Sequence, residues 1–372
     1  MALPTSSPSP SARRSSLSES KRSSATPDAQ AWVTVLAGGI GSRFWPASTL
    51  RRPKQLLPLG SEEPLIVDTL QRARALATDE RIRILSCEHL AGPFQTALPD
   101  LGRESFLIEP QARGTAPVLA WAAWKLAQID PDAVMVSLHA DHLLEPIDAF
   151  VHTVATAVEV ARRDELLLSI GVSPDRIETG YGHIEVGEPL DPAGSAESFR
   201  VQAFHEKPDA DTARRYVNEG FLWNTGIFIW KASVLLDELA RHAPEISELL
   251  PLIGEEGDEA FFERVPVTVI DRAVMERSDR VGVVKATFSW DDVGSWEALA
   301  RARAPDAAGN VTLGNVDLVD STGCIVYEEG PGRVVVLGAD DLVVVQTTDT
   351  TMVLPRARAH ELKDLLARLE SE

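Results

Sequence analysis

Apolar positions in the first half of the chain form short continuous runs and longer segments with helical spacing. The β-branched run at residues 32–36 and the apolar run at residues 133–138 predict buried strands. Further strands are predicted at residues 81–85, 105–108 and 166–172, and helices at residues 65–76, 115–129 and 149–163. Because strands and helices alternate, we expect an α/β fold with a doubly wound, Rossmann-like, mostly parallel sheet.

The pattern changes in the second half of the chain. Beyond about residue 175 the strands become shorter, which indicates an inserted substrate-binding lobe. From residue 310, short apolar runs separated by Gly or Asp turns predict a small all-β unit. These runs are residues 316–318, 324–326, 334–337, 342–345 and 352–354, and residues 356–369 are predicted to form a closing amphipathic helix. We therefore expect a main domain at residues 30–305 and a C-terminal unit at residues 306–372.

Residues 1–29 differ in composition from the rest of the chain. They are rich in Ser, Pro, Ala and Arg, with two leucines as large apolar residues. Such a segment buries too little apolar surface to offset the entropy of ordering, so we predict a disordered tail. A transit peptide and a start codon assigned too early are alternative interpretations, while the long apolar stretch of a secretory signal is missing.

Composition limits the partners. The 372 residues are 44% hydrophobic and 25% charged, which is typical of a globular protein of two or three domains. The net charge of −20 argues against nucleic acid or an anionic membrane as a partner, and no apolar run approaches a membrane span in length. Cys87 and Cys324 form neither a disulfide framework nor a metal-ligand spacing, which favours a reducing cytoplasm.

A glycine-rich loop follows the first predicted strand. Residues 36–43 read Leu-Ala-Gly-Gly-Ile-Gly-Ser-Arg, and Pro53-Lys54-Gln55 follows shortly after. Glycines allow a tight turn and a close approach to a ligand, and successive backbone N–H groups in such a turn bind anions. Arg43 and Lys54 would add positive charge. The loop therefore predicts a polyphosphate site at the carboxyl end of a strand.

Two better-known glycine loops do not match this one. A P-loop needs Lys-Ser/Thr after its last glycine, whereas Ser42-Arg43 stands here. A dinucleotide fingerprint needs a third glycine where Phe44 lies. The remaining pattern, G-G-x-G-x-R followed by x-P-K-Q, resembles the signature of the sugar-phosphate nucleotidyltransferases, also called nucleotide-sugar pyrophosphorylases.

Two aspartates follow predicted strands or turns far apart in the sequence. Asp141 comes just after the run at residues 133–138, and Asp292 lies in a Ser-Trp-Asp-Asp-Val-Gly-Ser-Trp segment. Mg²⁺ prefers carboxylates together with phosphate oxygens and water, so the pair predicts a magnesium site if the fold brings them together. Taken alone, either aspartate could be a helix cap. His139 and His142 suggest zinc less well, because no third nitrogen or thiolate ligand is apparent.

A third group of polar residues is suited to a phosphorylated sugar. Lys207, in Glu206-Lys207-Pro208, can place a point charge on a phosphate. Asn224 can donate to and accept from hydroxyl groups, and Gly180 lies in a Thr-Gly-Tyr-Gly segment that allows a close backbone approach. Each could also be part of an ordinary turn.

The longer motifs narrow the resemblance to the mannose-1-phosphate guanylyltransferases, or GDP-mannose pyrophosphorylases, over about residues 32–369. They are Arg43-Phe44-Trp45-Pro46 with Pro53-Lys54-Gln55, Glu109-Pro110 with Arg113-Gly114-Thr115-Ala116-Pro117, and Trp290 with Asp292-Val293-Gly294-Ser295-Trp296. The family's fold is a doubly wound nucleotidyltransferase domain followed by a short left-handed β-helix, often dimeric. The resemblance thus implies GTP and mannose 1-phosphate as substrates, Mg²⁺ as cofactor and a possible homodimer.

The resemblance also implies roles for individual residues. Arg43, Lys54 and Lys207 would be catalytic, and Asp141 and Asp292 would hold the metal. The nucleotide would be bordered by Leu36, Gly38, Gly39, Gly41, Ser42, Arg43, Lys54, Glu109, Arg113, Gly114, Thr115 and Asp141. The sugar phosphate would be held by Gly180, Glu206, Lys207 and Asn224.

Two alternatives remain open at this point. The nearest is a pyrophosphorylase of another specificity, such as a glucose 1-phosphate uridylyl- or thymidylyltransferase. The other is a nucleotide-sugar sensor without catalysis, which the complete set of charged residues argues against. A fused isomerase domain with a second activity is not expected.

Overall fold

The structure is a computed structural model that describes residues 31–39 and 41–369. The predicted tail at residues 1–29 lies outside the described residues. The strands up to residue 291 are β1 (Ala31–Leu36), β2 (Ile82–Cys87), β3 (Phe106–Glu109), β4 (Val134–His139), β5 (Leu143–Glu145), β6 (Leu167–Val172), β7 (His183–Pro189), β8 (Ser198–His205), β9 (Leu222–Lys231), β10 (Val281–Lys285) and β11 (Ser289–Asp291).

The α-helices are α1 (Leu65–Arg74), α2 (Glu88–Ala97), α3 (Thr115–Ile129), α4 (Ile147–Asp164), α5 (Ala210–Asn218), α6 (Ala232–His242), α7 (Pro244–Ser247), α8 (Leu252–Glu255), α9 (Asp258–Arg264), α10 (Trp296–Ala302) and α11 (Leu362–Leu369). Short 3-10 turns include Ser42–Phe44 and Lys54–Leu56, and Asp271–Met275 is a π-helical turn. Within the described residues, no helix is both long and apolar enough to cross a bilayer.

Nine strands form the main sheet, in the order β3-β2-β1-β4-β9-β6-β10-β8-β7. Strands β8 and β9 run against the other seven. The predicted mostly parallel α/β sheet is therefore confirmed. The inserted lobe predicted after residue 175 does not form a sheet of its own, because β7 and β8 extend this same sheet through antiparallel pairing with β9 and β10. Its substrate-binding role stays a prediction.

Both faces of the sheet are buried, as the continuous apolar strands require. Val33 and Val35 of β1 face a core formed with α1, α2 and α4. Trp32 and Leu36 face a second core formed with α3, α6 and α9. Since alternate residues of one strand enter opposite cores, helices cover the sheet on both sides, which is the doubly wound arrangement.

The C-terminal unit contains β12 (Val311–Leu313), β13 (Val316–Val319), β14 (Ile325–Glu328), β15 (Val334–Leu337), β16 (Leu342–Gln346) and β17 (Thr351–Pro355). Strands β12, β14 and β16 stack in parallel, as do β13 and β15, which gives a β-helix-like unit. The closing α-helix begins at Leu362, later than predicted, because Arg356–Glu361 forms a 3-10 helix. The main-chain N–H of Arg356 donates to Asp341 O at 2.7 Å, and its guanidinium is paired with Glu297.

A third core joins the C-terminal unit to the segment after the glycine-rich loop. Phe44 lies edge-on to Trp296 with ring centroids 4.9 Å apart, and Trp296 contacts Tyr327 at 5.4 Å. Leu57 and Leu65 belong to the same cluster. The glycine-rich loop and the β-helix-like unit are therefore packed on shared apolar side chains.

Candidate active site

The carboxyl ends of four neighbouring parallel strands bring three predicted site residues together. Leu36 at the end of β1 pairs with His139 at the end of β4, and Cys87 of β2 pairs with Glu109 of β3. Glu109 ends β3, while Gly38 and Asp141 come just after β1 and β4. All three therefore lie at the same edge of the sheet, where doubly wound proteins bind ligands. A Cβ atom placed at Gly38 would lie 3.1 Å from Glu109 Oε1.

The glycine-rich loop turns back at Gly41 and passes close to Lys54. Gly41 has φ +74°, and a Cβ atom there would lie 2.3 Å from the Cβ of Lys54. Ser48 Oγ donates to Gly41 O at 2.6 Å and fixes the turn. The loop residues Gly38, Gly39 and Arg43 are exposed, and Ser42 is exposed as well. The exposed main chain of the loop and the side chain of Arg43 are thus accessible to a ligand, while Gly41 packs against the buried Lys54.

We expect Gly41→Ala to lower the free energy of unfolding by about 1–3 kcal/mol, because alanine disfavours positive φ and would clash with Lys54. Gly39→Ala is the matched control, since its Cβ would lie 3.8 Å from Gln55 Nε2, an ordinary contact. Thermal or denaturant unfolding of both variants measures the difference. Equal stabilities would contradict the close packing of Gly41 on Lys54.

Lys54 connects the two predicted metal ligands. Its buried side chain donates from Nζ to Asp141 Oδ2 at 3.0 Å and to Asp292 O at 2.5 Å, although these residues lie 87 and 238 positions further along. Burial raises the pKa of Asp141, but the charges of Lys54, His142 and His139 outweigh it and bring the pKa down to about 2. Asp141 is therefore ionised at neutral pH.

Asp292 reaches this position through a short strand pair. Strand β11 pairs with β5, with Asp291 opposite Leu143, so the chain after β11 lies beside the segment that carries Asp141. Asp292 Oδ1 accepts hydrogen bonds from the Tyr181 hydroxyl at 2.8 Å and from Gly294 N–H at 3.1 Å. Burial, followed by the charge of Asp292, raises the pKa of Tyr181, so its hydroxyl stays a donor.

The neighbouring aspartate faces a different way. Asp291 Oδ1 accepts from Val293 N–H at 2.7 Å, while Oδ2 lies 3.3 Å from Arg176 and 3.8 Å from Arg301. Asp291 also lines a cavity of about 610 Å³ formed with α1, β5 and α10. Of the two adjacent aspartates, Asp292 is the one in contact with Lys54.

The site offers both oxygen and nitrogen donors to a metal. His139, Asp141 and His142 have ligand atoms within 4.8 Å of one another. However, His142 Nδ1 already accepts the Trp290 N–H at 3.1 Å, and His139 Nε2 lies 2.8 Å from the Cβ position of Gly226. The carboxylates of Asp141 and Asp292 therefore fit a hard divalent ion better than the imidazoles fit zinc.

Glu109 is a buried carboxyl at the sheet edge. Its exposed fraction is 6%, and burial raises its pKa from an ordinary value of 4.5 to about 7. The carboxyl therefore changes its charge near neutral pH beside the glycine-rich loop.

Glu109→Gln should flatten the pH dependence of stability. In the wild type the unfolded carboxyl ionises near pH 4.5 while the folded one stays protonated until about pH 7. Stability therefore falls as pH rises across this window, by up to about 2 kcal/mol after allowance for solvent screening. Glutamine removes that loss, so the variant should gain stability relative to wild type at pH 8 but not at pH 4.5. Urea unfolding of both proteins at both pH values measures this gain. The prediction would be contradicted if the variant differed from wild type by the same free energy of unfolding at pH 8 and at pH 4.5.

Two of the predicted sugar-phosphate residues meet around Gly182. A Cβ atom at Gly182 would lie 3.0 Å from Glu206 Oε2 and 3.3 Å from the Cβ of Asn224. Asn224 Nδ2 donates to Asp271 Oδ1 at 2.9 Å, and Asn224 Oδ1 accepts from Ser169 Oγ at 2.7 Å. The Asn224 amide is therefore held in one orientation.

Lys207 and Gly180 lie at the open side of this group. Lys207 has φ +51°, a side chain 58% exposed, and Nζ 2.7 Å from Glu206 Oε1. Gly180 is exposed, and its N–H donates to Glu178 Oε1 at 3.0 Å. Lys207 is thus available to an incoming anion, whereas the Gly180 N–H is already bonded.

The side chains of Arg113 and Thr115 are bonded to another segment. Arg113 donates to Phe262 O at 2.7 Å and Glu263 O at 3.0 Å, at the end of α9. Thr115 Oγ1 accepts the Ile270 N–H at 3.0 Å. Their contact with a nucleotide stays a prediction, and the structure adds a role for both in holding residues 262–270 against the start of α3.

Three groups at the site were not predicted from the sequence. Asp271 orients Asn224, and its pKa is raised to about 6 by burial and then by the charge of Glu206. Glu276 accepts the Glu206 N–H at 3.1 Å. The third is the Tyr181 hydroxyl, which the sequence marked only as part of an aromatic segment. Asp271 and Glu276 lie in or beside a π-helical turn, and no motif there signals them.

Comparison with known proteins agrees with this geometry. Residues 33–309 match the nucleotidyl transferase family model, and residues 314–369 match the mannose phosphate isomerase/GMP-like β-helix domain. The chain therefore belongs to the nucleotidyl transferase family, which confirms the resemblance. Enzymes of this kind act on a nucleoside triphosphate and a sugar phosphate and generally use a divalent metal.

Individual relatives show which members of the nucleotidyl transferase family the chain is similar to. The chain is 34% identical to the mannose-1-phosphate guanylyltransferase of Escherichia coli K12, over 92% of this chain and 74% of that protein. It is 37% identical to the alginate biosynthesis protein AlgA of Pseudomonas aeruginosa, over 91% of this chain and 72% of that one. A crystal structure from Thermus thermophilus, described as a mannose-1-phosphate geranyltransferase, matches with a TM-score of 0.84 and 33% identity, over 92% of this chain and 99% of that one.

Proposed function

We propose that this protein is a mannose-1-phosphate guanylyltransferase that converts GTP and α-D-mannose 1-phosphate into GDP-mannose and diphosphate. The observation that carries the proposal is the contact of Lys54 with both Asp141 and Asp292 directly beneath the glycine-rich loop. The names of relatives that are similar over nine-tenths of the chain support the choice of sugar and base.

In this reaction the sugar phosphate oxygen attacks the α-phosphorus of the nucleotide in line, and diphosphate leaves. Both reactants are anions, so catalysis consists mainly of positioning and charge neutralisation. Arg43, exposed on the loop, and Lys54 would balance the triphosphate. Lys207 would leave Glu206 to bind the phosphate of the sugar, and the fixed amide of Asn224 would bind its hydroxyl groups.

We further propose that Mg²⁺ is the metal and that Asp141 and Asp292 hold it together with phosphate oxygens. A bound divalent ion supplies Lewis-acid charge stabilisation to phosphoryl oxygens. Asp141 is ionised for this role. Both hydrogen bonds to the Asp292 carboxylate, from Tyr181 and Gly294, are made to Oδ1, which leaves Oδ2 as the oxygen for an ion.

The test is release of diphosphate by the purified protein with GTP, ATP, UTP or dTTP against mannose 1-phosphate or glucose 1-phosphate. We expect GTP with mannose 1-phosphate to give the highest kcat/KM. A preference for UTP or dTTP with glucose 1-phosphate would identify a pyrophosphorylase of another specificity. Binding of a nucleotide sugar without turnover of any pair would identify the sensor.

A homodimer in the cytoplasm is also proposed. Val335 and Leu337 of β15 and Val319 of β13 are exposed on one small parallel sheet, which suits contact with a second copy. Light scattering of the purified protein measures its mass, and a monomer at micromolar concentration would contradict the dimer.

A further inference from the structure

Tyr181 connects a metal ligand to the predicted sugar loop. Its hydroxyl donates to Asp292 Oδ1 at 2.8 Å. The residue is 7% exposed, and its ring packs edge-on against Trp290 and Trp223, with centroids 4.9 and 5.2 Å away. The hydroxyl and the Gly294 N–H together orient the Asp292 carboxylate, and Arg176 Nη2 donates to the hydroxyl at 3.2 Å.

The next residue contacts the opposite side of the site. Gly182 O accepts the Asn224 N–H at 2.8 Å, and Glu206 Oε2 lies 3.0 Å from its Cβ position. The Tyr181 carbonyl lies 3.2 Å from His183 Nδ1, a ring that is fully buried. The side chain of Tyr181 thus contacts the carboxylate of Asp292, the predicted metal ligand, while the main chain of the next residue contacts Glu206 and Asn224.

We infer that Tyr181 is a positioning residue through which the sugar-phosphate site and the divalent-cation site strengthen each other. A sugar phosphate held by Glu206 and Asn224 fixes residues 180–183, and this fixes the hydroxyl that orients Asp292. By linkage, the cation must raise the affinity for the sugar phosphate by the same factor. This inference rests on the proposed function, because it requires the sugar phosphate to bind beside Gly182.

The test compares wild type with Tyr181→Phe, which keeps the ring and removes the hydroxyl with its hydrogen bonds to Asp292 and Arg176. Free Mn²⁺ is measured by electron paramagnetic resonance in the presence of α,β-methylene-GTP, which does not react, with and without mannose 1-phosphate. We expect mannose 1-phosphate to tighten Mn²⁺ binding in wild type. In Tyr181→Phe, Mn²⁺ binding should weaken roughly tenfold, as for loss of a group that orients a metal ligand, and the tightening should disappear.

Tyr327→Phe is the matched control. Tyr327 is also buried, its hydroxyl donates to Glu329 Oε2 at 2.6 Å, and its ring contacts Trp296, but it lies in β14 of the C-terminal unit. Because phenylalanine keeps the ring contact with Trp296, we expect this variant to bind Mn²⁺ as wild type does, with tightening intact. Thermal unfolding checks that both variants fold, and the two should lose similar amounts of Tm.

Three results with the variants would overturn the inference. They are wild-type Mn²⁺ binding and tightening in Tyr181→Phe, weaker binding with the tightening retained, and equal losses in Tyr327→Phe. Failure of the proposed function gives a different result, because wild type would then release no diphosphate from GTP and mannose 1-phosphate. If wild type turns over and shows no tightening, the coupling alone is wrong.

Discussion

Replacing either Asp141 or Asp292 with asparagine should reduce turnover by at least roughly a hundredfold. Asparagine keeps the size of the side chain but removes the negative charge that a divalent ion requires, and several kcal/mol of transition-state stabilisation depend on that ion. Both residues follow strand ends, outside the apolar cores, so the variants should fold. Diphosphate release at increasing Mg²⁺ concentrations measures the loss, and Mn²⁺ binding measured by electron paramagnetic resonance should fall in parallel.

Two further variants, the double substitution of Asp141 and Asp292 and the substitution of Asp291, test whether the loss comes from one shared metal site. Because the two carboxylates would act on one ion, the double variant should be little slower than either single one. Asp291→Asn is the control, since Asp291 bonds to Val293 N–H and faces Arg176 and Arg301. It should lower stability without changing the dependence on Mg²⁺. Near-normal activity of Asp292→Asn, with loss in Asp291→Asn, would show that the metal ligand was wrongly assigned.

Lys207→Ala should raise the KM for mannose 1-phosphate about ten- to a hundredfold and change the KM for GTP far less. A charge-assisted hydrogen bond to phosphate contributes roughly 1.5–3 kcal/mol. In the free protein Lys207 pairs with Glu206 and is largely exposed, so its removal leaves the fold intact. Initial rates with each substrate varied in turn measure both constants.

Lys231→Ala provides the comparison for this variant. Lys231 also forms an ion pair, with Glu165 at 3.3 Å, but it lies at the other end of β9 from Asn224. Neither KM should change. A rise in the KM for GTP alone in Lys207→Ala would move Lys207 to the nucleotide side of the site.

The main elements followed from local pattern because their faces are buried in a regular way. The structure has α3 at Thr115–Ile129, as predicted, and β4 at Val134–His139 against a predicted 133–138. The reversed directions of β8 and β9 were not predicted, because strand direction depends on pairing between segments far apart in sequence. The 3-10 turn at Arg356–Glu361 was missed for a related reason, since Arg356 is fixed by Glu297 and Asp341.

In the site too, contacts within one short segment were predictable from the sequence, whereas contacts between distant segments were not. The glycine-rich loop and Lys54 share one short segment, so their closeness was predictable from the motif. The meeting of Asp141 with Asp292 was a hypothesis that the Lys54 contacts support. The partners of Arg113, about 150 positions away, could not be inferred, because nothing in a motif states which carbonyls an arginine will reach. Asp271 was missed because its effect passes through Asn224.

The shared core of Phe44, Trp296 and Tyr327 has a consequence for how this protein tolerates change. The aromatic side chain directly after Arg43 is anchored in the C-terminal unit, and Arg52 in the same segment is paired with Glu329. The β-helix-like unit thus supports the segment that follows the glycine-rich loop. Deleting this unit would expose the apolar side chains beneath the loop to water, so a chimera of two relatives should fold only if the side chains of this shared core are kept compatible.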